Sequence, residues 1–172
     1  ENNEIMKTVS IRGGFFLLLG FLAIILPTAP ISSIPTMIET PDYLICLIFA
    51  WLVCDPKSSP FLSILFLSVL ADILWQRPLG LSPIFILLLT EIIRHFHLRF
   101  LYQSILFKWF YFFGFLILLN LGTSLLSIIA ALTPLDFKVW FNRFLFTIFI
   151  FPIVNILLEY TVFNQHWKIK KR

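Results

Sequence analysis

Charge is scarce in this chain: 13% of its 172 residues are Asp, Glu, Lys or Arg, against about 25% in a typical soluble domain. With 59% hydrophobic residues, too few polar groups remain to cover a water-facing surface, so an ordinary soluble globule is excluded. No long polar stretch leaves room for a separate soluble module. Cysteine is nearly absent. Cys46 and Cys54 form neither a C-x-x-C pair nor a disulfide framework, and read as small hydrophobes. Histidine is as sparse: His95 and His97 fall on different sides of a helix, and His166 stands alone. No third ligand sits at a usual spacing, so no metal is expected. Gly-x-Ser-x-Gly, a Ser or Cys with a plausible His/Asp set, and a phosphate-cradling glycine loop are all missing. The expectation is a protein with no catalytic residues, no cofactor and no nucleic-acid partner.

What the sequence does have is apolar runs divided by punctuation. They predict an all-α integral membrane protein, a single transmembrane domain of six helices over residues 13–30, 41–54, 60–75, 79–94, 107–132 and 137–163. Pro27 and Pro30 end the first, Thr40-Pro41 opens the second, and Asp55-Pro56-Lys57-Ser58-Ser59-Pro60 separates the second from the third. The first four are short against the ~20 residues of a spanning helix, a deficit that tilt and packing against the longer fifth and sixth can make up. Basic residues supply an independent count. With both termini cytoplasmic, Lys7, Arg12, Lys57, Arg94, Arg99, Lys108, Lys168, Lys170, Lys171 and Arg172 lie inside, and only Arg77, Lys138 and Arg143 outside. The rival reading, a cleaved signal peptide over Lys7–Ala29, is disfavoured by Pro27 and Pro30 at the cleavage point. The chain begins at Glu1 rather than methionine, which predicts further N-terminal residues.

Polar residues inside the runs are the candidate sites. A carboxylate at the bilayer centre costs roughly 2.5–3.5 kcal/mol on insertion scales, so Asp72 needs a partner, a polar cavity or an interface. Ser68, Ala71, Asp72 and Trp75 share one helix face. The sequence Gln76-Arg77-Pro78-Leu79-Gly80 reads as a tight turn into the fourth helix. Asp72 is then either an ion carrier or a lock that pairs with Arg77 or caps backbone donors in the hairpin. With no second acid nearby for a relay, the lock is favoured. Glu91 with Arg94 and His95 has local ion-pair spacing. Asn120, Asn155 and Glu159 are candidates for a small polar pocket, and Pro152 should kink the sixth helix and free a carbonyl. Arg94, His95, Arg99 and Lys108 form an amphipathic basic link suited to the cytoplasmic interface, to anionic lipids or to a partner. Residues 164–172 make a basic cytoplasmic tail.

The stretch Pro41-Asp-Tyr-Leu-Ile-Cys-Leu-Ile-Phe-Ala-Trp51, then Ser68-Val-Leu-Ala-Asp72-Ile-Leu, then Pro78-Leu-Gly80 resembles the bacterial rod shape-determining protein family MreD. Length, helix count, the basic link and the late proline agree across nearly the whole chain. Ser-Val-Leu-Ala before Asp72 departs from a pattern that is glycine-rich in many relatives. The resemblance implies a non-enzymatic scaffold of the inner membrane, multi-pass, working in cell elongation and lateral peptidoglycan synthesis. It implies binding to MreC, support of RodA and a penicillin-binding transpeptidase, and a connection to MreB filaments. Asp72, Pro78 and Gly80 match the motif. The family is similar in fold to the substrate-binding subunits of energy-coupling-factor transporters, which makes a vitamin-binding transporter subunit the alternative.

Overall fold

The computed structural model describes residues 2–28, 41–77, 79–101, 103–129 and 137–160. Among these the chain is all-helical: α1 (Asn2–Ile25), α2 (Tyr43–Cys54), α3 (Phe61–Leu74), α4 (Leu81–Leu101), α5 (Ile105–Ile129) and α6 (Phe137–Leu158), with a short 3-10 turn at Leu26–Thr28. Two helices start or stop far from their expected bounds. α1 begins at Asn2 rather than 13, because the polar residues before Gly13 end an apolar run without breaking a helix. α4 runs on to Leu101 rather than 94 for the same reason: no Gly, Pro or Asn interrupts Ile84–Leu101. The expected basic link after the fourth helix is therefore corrected. Most of it is the last two turns of α4.

α2 is the axis of the fold. Ten consecutive residues, Leu44–Val53, are buried, so every face of α2 is covered by the rest of the bundle. It packs against α1, α4 and α6, while α3 bridges α1 and α4, and α5 bridges α4 and α6. Aromatic rings hold the two sides to it. Phe112 of α5 stacks on Phe151 of α6 with centroids 4.0 Å apart, and Phe49 of α2 meets both edge-on. On the other side Trp51 meets Phe16 of α1 at 5.3 Å. α4 and α5 approach closely at Gly122, where a Cβ would lie 2.4 Å from the Phe85 ring.

Apolar side chains also face outward on α1, α3, α4, α5 and α6, among them Leu18, Leu62, Leu88, Phe110 and Phe149. By length and composition two segments among the described residues can cross a membrane, Ile105–Leu126 and Trp140–Leu158. The apolar parts of α1, α2 and α3 are shorter, so these criteria support two spans rather than the six expected.

α3 ends in a paired set of backbone bonds. Arg77 N–H donates to the Asp72 carbonyl at 3.0 Å and Gln76 N–H to that of Ile73 at 3.3 Å, with Gln76 at φ +52°. This is a Schellman motif with glutamine where glycine is usual. Left-handed backbone costs a side-chain-bearing residue roughly 1–2 kcal/mol. Gln76→Gly should therefore stabilise the chain by about 1 kcal/mol, read as a rise in midpoint in detergent unfolding; a lower midpoint would refute it.

Candidate functional site

The α3–α4 hairpin is built around Asp72. The residue is 1% exposed, and its Oδ2 accepts the Gly80 N–H at 3.2 Å. Gly80 sits at φ +91°, a conformation glycine adopts without strain, and that geometry aims its N–H back at the carboxylate. Ser82 lies beside the same carboxylate, yet Oδ1 keeps no hydrogen bond of good geometry. Of the two locks open to Asp72 the structure takes the backbone cap. The other, an ion pair with Arg77, is corrected: Arg77 reaches across to Asp42 at the start of α2, 3.3 Å away. Its guanidinium also lies 4.5 Å over the Trp75 ring. The Asp42 N–H in turn donates to Thr147 Oγ1 of α6 at 3.1 Å. One turn thus ties α2, α3, α4 and α6 together at this end. Pro78 lies outside the described residues.

At the opposite end the α2–α3 loop is clamped from both flanks. Arg12 of α1 pairs with Asp55 at 3.1 Å, and Arg94 of α4 donates to the Ser59 carbonyl at 2.9 Å. Trp51 Nε1 donates to Ser58 Oγ at 2.9 Å. Arg94 also meets Glu91 at 3.6 Å, as the local spacing predicts. His95 is exposed and packs edge-on against Phe96. The Arg99 side chain lies outside the described set. Arg12, Asp55 and Trp51 were invisible to sequence reasoning as a group, because their partners sit on other elements.

The pocket expected from Asn120, Asn155 and Glu159 forms only in part. Asn155 Nδ2 donates to Glu159 Oε1 at 3.3 Å, and Lys108 of α5 joins the same oxygen. Asn120 is elsewhere: its Nδ2 bonds the Leu116 carbonyl of its own helix at 2.9 Å. α5 and α6 run antiparallel in the register set by Phe112 and Phe151, so Asn120 faces the region of Arg143. That is roughly 18 Å along the axis from Asn155, at 1.5 Å per residue. A surface crevice of about 260 Å³ is lined by Leu18, Phe21, Leu22 and Ile25 of α1 and by Leu26 of the 3-10 turn that follows it. Among the described residues no group of three His, Cys, Asp or Glu is gathered for a metal.

Pro152 frees a carbonyl, one of the two effects the sequence predicts for it. It has no N–H to give Ile148, and Trp109 Nε1 of α5 fills that place at 3.0 Å. Trp109→Phe should leave this carbonyl unsatisfied and cost about 1–2 kcal/mol. Adding Pro152→Ala should recover part of the loss by restoring the missing donor. Additive losses in that double-mutant cycle would show that the two residues do not communicate.

No family model, no curated protein and no solved structure matches the chain.

Proposed function

We propose that the chain is a six-span scaffold of the bacterial cytoplasmic membrane that serves the cell-elongation machinery, as its resemblance to the MreD family implies. In this reading both termini are cytoplasmic, MreC is the direct partner, and RodA, a penicillin-binding transpeptidase and MreB filaments are reached through the same assembly. The observation that carries the scaffold reading is the use made of Asp72. Its carboxylate is engaged in capping Gly80, and Arg77, the nearest candidate counter-ion, is engaged with Asp42. A frame uses charge in this way, whereas a carrier keeps it accessible. Apolar side chains on the outward faces of five helices support burial of the shorter helices in lipid alongside α5 and α6.

Affinity capture from detergent-solubilised membranes is the test. MreC should co-purify; an energy-coupling ATPase module in its place would overturn the scaffold in favour of the vitamin-binding subunit. A C-terminal alkaline phosphatase fusion should be inactive, and an active one would sink the six-span topology. Asp72→Ala should lower protein level and MreC capture together by removing the cap, at a cost of about 1–3 kcal/mol. Unchanged capture with loss of a solute uptake would mean that the carboxylate is a carrier after all.

A further inference from the structure

Glu159 Oε1 is the meeting point of two donors from different helices. Lys108 Nζ arrives from the first turn of α5, and Asn155 Nδ2 from one turn back on α6. Lys108 is 6% exposed and Asn155 1%, whereas the Glu159 side chain is 42% exposed. The donors are fixed in the interior and the acceptor is not. Glu159 also sits in a π-type turn at residues 159–160, past the last α-helical residue Leu158. One further atom is unused: Asn155 Oδ1 is buried with no hydrogen-bond partner. Flipping the amide offers no remedy, since the oxygen would then face the Glu159 carboxylate. A buried ammonium requires an anion at all times, and here that anion is a partly exposed side chain past the last α-helical residue.

We propose that Lys108 and Asn155 form a binding site for a phosphate ester, and that Glu159 fills it from within the chain until such a ligand displaces it. A phosphodiester offers two anionic oxygens, one for the Lys108 ammonium and one for Asn155 Nδ2, as the carboxylate now offers one to both. A hydroxyl or amine carried on the ester supplies the donor that Asn155 Oδ1 lacks. Position favours a lipid headgroup as the source. The site lies at one end of the α5–α6 pair, the two helices apolar enough to cross a membrane. Polybasic or buried cationic pockets at such helix ends suit anionic headgroups. The choice of lipid rests on the membrane reading; the phosphate chemistry does not.

The test is native mass spectrometry of the full chain in detergent, titrated with phosphatidylglycerol, with diacylglycerol as the phosphate-free control and inorganic phosphate as competitor. Glu159→Gln removes the internal competitor and should raise phosphatidylglycerol retention about tenfold, whereas Lys108→Gln should lower it about tenfold, one charged hydrogen bond in each direction. Asn155→Ala, which leaves the Lys108–Glu159 pair intact, should lower retention several-fold and serves if Lys108→Gln does not fold. Equal retention of diacylglycerol, or no change across the variants, would overturn the site. Displacement of the lipid by millimolar inorganic phosphate would overturn the headgroup as its source. Carbonate washing of membranes reads the membrane reading separately: a chain released by it is peripheral, whatever the phosphate variants show.

Discussion

Trp51→Ala should destabilise the bundle by about 3–5 kcal/mol, enough to remove most folded protein from a marginally stable chain. The side chain is fully buried, packs against Phe15 and Phe16 of α1, and donates to Ser58 in the α2–α3 loop. Its loss opens a cavity at the axis of the fold and removes a tether of the next turn at once. Trp51→Phe separates the two effects. It keeps an aromatic ring in place and loses the N–H, so about 1–2 kcal/mol should go. Equilibrium unfolding in mixed micelles measures both, and an alanine variant with a wild-type midpoint would remove α2 from the centre of the architecture.

Phe151→Ala should cost a similar amount, about 3–5 kcal/mol, for a different reason. Its ring lies 4.0 Å from that of Phe112, nearly parallel, and 5.4 Å from that of Phe49. Three helices therefore lose contact together. Each aromatic pair adds about 0.5–1.5 kcal/mol beyond its area, so Phe151→Leu should retain much of the packing and lose the ring terms. Near-ultraviolet circular dichroism in detergent should report the lost aromatic packing directly. An unchanged spectrum with unchanged stability would mean that α5 and α6 are joined by other contacts.

The helices were legible where residues of special backbone chemistry mark their ends. Pro41, Pro60 and Gly80 bound α2, α3 and α4 within two residues of expectation. Where only a change from apolar to polar marked a boundary, at Gly13 and Arg94, the reading failed, because polarity does not stop a helix. Short-range polar chemistry was also legible. Pro152 frees a carbonyl, Asp72 caps its own hairpin, and Glu91 meets Arg94 three residues on. The long-range pairs were not: Arg12 with Asp55, Arg77 with Asp42 and Lys108 with Glu159 join residues 35 or more positions apart. Helical spacing says which face a residue occupies, not the depth at which two helices meet. Asn120 shows the difference. It had the right chemistry for the Asn155–Glu159 site and sits at the wrong level.

The central position of α2 bears on how the protein is made. α2 leaves the ribosome before α4 and α6, against which much of its surface rests in the finished bundle. At 12 residues it spans roughly 18 Å, well short of the ~30 Å hydrocarbon layer. Until the later helices arrive, only α1 is present to cover it. α2 is therefore the segment most in need of shelter while the chain is being made, and the native bundle can close only when the last helix has been delivered.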